Sequence, residues 1–214
     1  MNKTQPVHIA IADRNMLIRE ALAALISGWD DCKVVIKATD ADDLRKQLSK
    51  THDPVICIIG VGIDGMDTFL RELKYQVKFT EIKVLALGQY HSDYLQTRLI
   101  KCGASGYLLN NCQPKELKKA LLTIAKKGVY FPNVSKEAYT DIVTNKTPFE
   151  NLTTRQIELL QYVADGLSYG EIGKKMGIAI RSAESKKDVI ANKLNIRSKE
   201  GLIVFSLKAG LVEL

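Results

Sequence analysis

Five times before residue 130 a short apolar run gives way to an amphipathic segment, and this alternation constrains the fold more than any other property of the chain. Val7 to Ala12 reads as a strand, followed by a helical pattern from Asn15 to Ser27 in which Leu17, Ile18, Leu22, Leu25 and Ile26 are expected to share one face. Lys33 to Ala38 precedes a helix opened by Asp40, and Val55 to Ile59 precedes one near Asp64 to Leu73. Lys83 to Leu87 leads into Ser92 to Lys101, and Gly106 to Leu109 into Pro114 to Lys127. Strands alternating with helices predict a parallel sheet with right-handed crossovers, because each helix must return the chain to the same end of the sheet. The expected class is therefore α/β, a five-stranded doubly wound parallel sheet, with functional groups at the carboxyl ends of its strands.

After Tyr130, Phe131 and Pro132 the alternation stops. A polar stretch from Asn133 to Asn151 follows, with one short helix opened by Ser135, and then four helices with no strand. Thr153 with Gln156, and Ser168 with Glu171, have the capping-box spacing, in which a hydroxyl and a returning side chain satisfy unpaired amides of the first turn. Gly166 is placed to end the first of these helices and Gly177 to turn the chain after the second. The expected division is residues 1–131, a linker at 132–150, and an all-α four-helix domain at 151–214.

The chain has 214 residues and a formal net charge of +7, an excess that suits a polyanionic partner. Split at residue 147, however, the excess is +5 in the first part and +2 in the second, so it is not concentrated in the helical part. No signal-peptide run and no apolar stretch of membrane-spanning length occurs, and the expectation is a cytoplasmic protein with no membrane partner. Cys32, Cys57, Cys102 and Cys112 lack metal-ligand spacing and are expected to be reduced thiols. His8, His52 and His91 lie in different segments, no Walker-type phosphate loop is present, and no nucleophile, base and orienting group can be assembled from spacing. An enzyme is not expected, nor a cofactor or bound metal.

Three segments carry a resemblance: Leu152-Thr-Thr-Arg-Gln-Ile-Glu-Leu-Leu, Ala164-Asp-Gly-Leu-Ser-Tyr-Gly-Glu-Ile-Gly, and Ala191-Asn-Lys-Leu-Asn-Ile. They resemble the LuxR-type helix-turn-helix, with a scaffold helix and a recognition helix at these spacings. Leu159, Leu160, Val163, Ile172, Met176, Ile178, Ile190 and Leu194 can form its small core. The resemblance implies double-stranded DNA as partner, with Lys174, Lys175, Arg181, Lys186, Lys187 and Lys193 near phosphates, Glu184 or Ser185 near base edges, and Ser182 also among the DNA-binding residues. It departs from the family at Ala179, where a Ser or Thr usually caps the recognition helix, and at Glu184 and Asp188, which put carboxylates near a polyanion.

With that match in hand, residues before 131 resemble a receiver domain of the flavodoxin-like kind, Gly103-Ala-Ser-Gly-Tyr-Leu-Leu matching the segment that enters its fifth strand. A receiver transfers a phosphoryl group to an aspartate, using an acidic pair for Mg²⁺, a hydroxyl residue and a lysine. Aligned on Gly65-Met66-Asp67, the phosphoacceptor position is Gly60, the acidic pair is Asp13 with Arg14, the hydroxyl position is Gly88 and the lysine position Asn110. Asp64 and Asp67 are the nearby alternative nucleophiles. Arg14 is either solvated or fills the space of the missing metal beside Asp13. The expectation is an atypical response regulator of the LuxR/NarL type with a pseudo-receiver. It acts as a homodimeric, phosphorylation-independent transcription factor, with a protein partner or small molecule as signal. The alternative is an interaction adaptor or co-regulator whose helix-turn-helix no longer reads DNA specifically.

Overall fold

The structure, a computed structural model, describes residues 5–50, 55–75, 81–89, 92–144, 152–209 and 211–212. The side chains of Asp67, Lys74 and Tyr75 lie outside that description. The chain divides into two compact units.

The first unit contains the predicted sheet. Strands β1 (Val7–Ala12), β2 (Cys32–Ala38), β3 (Val55–Gly60), β4 (Lys83–Gly88) and β5 (Gly106–Leu109) lie in the order β2-β1-β3-β4-β5, every pairing parallel. β3, near the centre, is buried at every residue, as a strand covered on both faces must be. On one side Ile9, Ile11, Ile56, Ile58 and Leu85 pack against Ile26, Leu117, Leu121 and Ile124 from helices. β2 is an edge strand: its register against β1 shifts between Ile9 and Ala10, and it exposes Lys33, Val35 and Lys37. A bulge and lysines both discourage pairing of an edge with another chain.

The helices begin where local capping chemistry allows. Asn15 caps α1 (Met16–Ser27), its side chain accepting from the Leu17 amide at 2.9 Å. Asp40 caps α2 (Ala41–Leu48), accepting from Asp43 N–H at 2.8 Å. α3 (Met66–Tyr75) starts at Met66 rather than Asp64, and α4 spans Asp93–Cys102. Pro114 opens α5 (Pro114–Lys127), which stops at Gly128, φ +87°, a left-handed conformation that favours glycine. The expected face fails at two positions: Leu17 is 76% exposed, and Ile18 is exposed as well and absent from the core. At 100° per residue Leu17 points away from Ile26, the buried residue of that helix, while Leu22 and Leu25 pack inward.

Within the expected linker, α6 (Lys136–Thr144) is opened by Ser135, whose hydroxyl accepts from Ala138 N–H at 3.1 Å. Residues 145–150 lie outside the described residues. The second unit carries α7 (Thr154–Ala164), α8 (Tyr169–Met176), α9 (Ile180–Leu194) and α10 (Lys199–Lys208), with no strand among the described residues from 152 onward. Leu159, Leu160, Val163, Ile172, Met176 and Ile190 form its core with Leu202 and Phe205, while Ile178 and Leu194 pack half-buried at the margin. Among the described residues no helix is long and apolar enough to cross a membrane.

Candidate functional site

In the first unit, the ends of β1, β3, β4 and β5 bring together Asp13, Gly60, Gly88 and Asn110. Gly60 is buried at the end of β3, and a Cβ built on it would fall on Asp13 Oδ2. The Asp13 carboxylate therefore fills the space where any side chain at position 60 would begin. Its other oxygen accepts from the Asn15 amide at 2.7 Å, and Arg19 Nη1 donates to the Asp13 carbonyl at 2.6 Å and to that of Arg14 at 3.2 Å. Arg14 itself is exposed.

Gly88 is filled in the same way by a neighbour. A Cβ there would meet the Tyr107 hydroxyl at 2.7 Å and Val61 Cγ2 at 3.1 Å. Tyr107 is 4% exposed, and burial pushes its phenol up to about 12. The exposed Asn110 holds the strand ends together through its backbone N–H, which donates to the Gly88 carbonyl at 2.8 Å. These residues do not fit a divalent cation. One Asp13 oxygen is turned onto Gly60, the other is engaged by an amide, and the residue beside it is a cation. Asp64 is exposed in the loop after β3, and the side chain of Asp67 lies outside the described residues.

The sequence reading missed Tyr107. Its signal was a buried glycine ending β4 beside an aromatic in the adjacent strand, where Ala86 is the register partner of Tyr107.

In the second unit both capping boxes form. Thr153 Oγ1 accepts from Gln156 N–H at 3.3 Å, and Gln156 Oε1 accepts from Thr153 N–H at 3.0 Å. Ser168 N–H donates to Glu171 Oε2 at 2.8 Å while Glu171 N–H donates to Ser168 Oγ at 3.3 Å. The bonds from the Ser168 hydroxyl and amide hold the Glu171 carboxyl below its ordinary value. Gly177 turns the chain at φ +66°, and Gly173 lies so close to the turn that a Cβ would meet the Ile178 carbonyl at 2.7 Å. As Ala179 implied, α9 begins at Ile180 with no side-chain cap, and it ends at Asn195 in the left-handed region, φ 55°.

The outward ridge of α9, opposite Ile190, is Arg181, Ser185, Asp188 and Asn192, all exposed, with Ser182 and Lys186 on one flank and Glu184 and Lys187 on the other. Asn192 was not singled out from sequence, although its spacing from Arg181 and Ser185 places it on this ridge. The predicted cations are not equivalent. Lys187 is half-buried and paired with Asp188, whose hydrogen bond raises the Lys187 ammonium above its ordinary value. Lys193 donates to Gln156 Oε1 at 3.1 Å, and the Lys175 ammonium lies 5.3 Å from the centre of the Tyr162 ring. Lys174 and Lys186 are exposed. Beside the start of α9, Gly170, Gly173, Lys174 and Ile180 line an open concavity of about 590 Å³.

A parallel receiver sheet followed by a helix-turn-helix with both scaffold helices capped defines a response regulator, a class of regulatory proteins rather than enzymes. Residues 9–122 match the response regulator receiver domain and residues 150–206 match the bacterial regulatory proteins of the luxR family. The chain belongs to the response regulators, in their LuxR/NarL-type branch. It is 26% identical to the oxygen regulatory protein NreC of Staphylococcus carnosus over 96% of this chain and 99% of that one. The same protein of Staphylococcus epidermidis (strain ATCC 12228) is also 26% identical, with the same coverage. The fold is similar to that of RcsB from Salmonella enterica serovar Typhimurium bound to a promoter in the presence of the phosphomimetic BeF3⁻. There the TM-score is 0.65 at 18% identity, covering 94% of this chain and 98% of that one.

Proposed function

We propose that this chain is a transcription regulator that binds double-stranded DNA as a homodimer and acts without aspartyl phosphorylation. The observation that carries this reading is Gly60: it has no oxygen to phosphorylate, and its side-chain space is taken by the Asp13 carboxylate. Gly88 and Asn110 remove the hydroxyl and the ammonium that the same reaction uses, and Arg14 removes half of the acidic pair. The receiver-like part at 1–131 then takes its input from a protein partner, from a small molecule or from abundance, in the cytoplasm. The linker at 132–150 joins it to the DNA-binding part at 151–214. Support for DNA as partner comes from the exposed Arg181, Ser182, Ser185 and Lys186 on α9, and from the promoter-bound state of the RcsB neighbour.

Acetyl phosphate with Mg²⁺ should leave both intact mass and DNA affinity unchanged, and restoring aspartate at Gly60 alone should not change that. A gain of one acid-labile phosphoryl group, lost on replacing Asp64 or Asp67, would overturn the phosphorylation-independent reading. In salt titrations on an enriched site and a random duplex, Lys186→Ala should weaken both and lower the salt slope by about one unit. Glu184→Ala should change the preferred sequence or strengthen non-specific binding, because a carboxylate leaves the surface facing a polyanion. Binding no better than micromolar, on every duplex and for every variant, would instead establish the adaptor reading.

A further inference from the structure

We propose that Ile180 is a specificity-determining residue that reads the 5-methyl group of a thymine in the major groove. The inference rests on the DNA reading above and deepens it by naming a base and the side chain that meets it. Ile180 is the first residue of α9, which that reading makes the recognition helix, and it is 55% exposed. Leaving so much of an isoleucine in water gains nothing for the fold, whereas Ile190, on the inner face of the same helix, is fully buried. The amino-terminal residues of a recognition helix are the ones that meet base edges.

The surroundings of Ile180 are apolar and already arranged. Its Cδ1 lies 3.8 Å from where a Cβ on Gly170 would stand, so the side chain leans over α8, and the hollow of about 590 Å³ opens beside it. Gly170, Gly173 and Ala179 line this hollow without a polar side chain. At its rim Ser168 and Glu171 are bonded to each other, hydroxyl to carboxylate, at 2.6 Å. Ala179, which leaves α9 without a side-chain cap, is exposed and extends the apolar surface to the tip of the helix. A β-branched side chain has one strongly preferred χ1 in a helix, so little rotamer freedom is lost when it makes a contact.

Two features select thymine as the occupant. Lys174 on α8 also lines the hollow and Arg181 follows Ile180 on α9, both exposed cations, so the surface that fits here is anionic as well as apolar. Among the groups that base pairs present in the major groove, the thymine methyl is the one that neither donates nor accepts a hydrogen bond, and it is the natural contact of an aliphatic side chain.

Titration of the full chain on a duplex enriched from a random pool, with each thymine replaced in turn by uracil, tests this, because uracil removes the methyl and keeps every donor and acceptor. For the wild type, uracil at one thymine in each half-site should weaken binding about fourfold, the worth of one buried methyl-sized group. Ile180→Ala should bind the thymine and uracil duplexes equally at that position, respond as the wild type does to uracil elsewhere, and Ile180→Val should keep most of the discrimination. Each ratio is taken within one variant, so a misfolded fraction cancels from it. A wild type indifferent to uracil at every position, or an Ile180→Ala variant that discriminates as the wild type does, would overturn the proposal and leave the DNA reading standing. Binding no better than micromolar on every duplex would overturn the DNA reading and this assignment with it.

Discussion

The two units depart from their families in opposite ways. In the sheet unit the scaffold is whole, and on the alignment proposed above Gly60, Gly88 and Asn110 stand at the reactive positions, with Asp13 and Tyr107 lying against the two glycines. In the helical unit the matching residues are nearly all structural. Thr153, Gln156, Ser168 and Glu171 cap, Gly177 turns, and Leu159, Ile172 and Ile190 fill the core. A receiver's signature is mostly chemistry, so its loss says much about function and little about fold. The helix-turn-helix signature is mostly scaffold, so its presence says much about fold and little about which bases α9 meets.

Breaking the scaffold should have the largest effect. Ile172→Ala, at a fully buried position, should cost about 2 to 5 kcal/mol in denaturant unfolding and abolish DNA binding with it; a loss well below that range would show that the helical core tolerates what the comparison says it cannot. Returning a receiver-like residue to the altered site should do harm as well. Gly88→Thr places a Cβ on the Tyr107 hydroxyl and should destabilise by about 1 to 3 kcal/mol, part of it recovered by Tyr107→Phe.

The pH dependence sharpens the same point. Tyr107 has its proton held more tightly in the fold, up to about 12 against an ordinary value of 10.0. The corresponding stability is fully present below pH 10 and is lost as pH rises through 10 toward 12, amounting to about 1 kcal/mol by about pH 11. Ultraviolet titration should lose a late phenolate on Tyr107→Phe, while the upward shifts of Tyr130, Tyr139 and Tyr162 remain. The smallest effects concern caps. Ser168→Ala should cost about 1 kcal/mol, whereas Ala179→Ser, supplying the missing cap of α9, should stabilise by about the same or less, both measured as thermal midpoints.

What could be read from sequence was local or periodic. Asp40, Ser135, Thr153 and Ser168 were identifiable because a cap acts on an amide two or three residues away, and the buried runs of β1 and β3 announced a covered parallel sheet. Leu17 was misplaced because α1 is apolar on nearly every side, and such a helix has no unique inner face by composition. The pairing of Lys193 with Gln156, the stacking of Lys175 on Tyr162, and the filling of Gly60 and Gly88 are contacts across elements. No spacing along one chain encodes them. For that reason the sequence could suggest which positions to inspect, but not that Asp13 lies against Gly60 and Tyr107 against Gly88.

The packing of Tyr107 against Gly88 bears on how such a protein could be governed. A switch needs two states of similar free energy, and a signal works by shifting the population between them. An aromatic ring seated in volume left by a glycine has one deep well, and populating any other arrangement means reopening a void beside β4. On the phosphorylation-independent reading proposed above, the domain does not toggle through this site. Control of such a regulator would then lie with a partner, with a ligand bound elsewhere or with the number of copies made, and not with a chemical event at these strand ends.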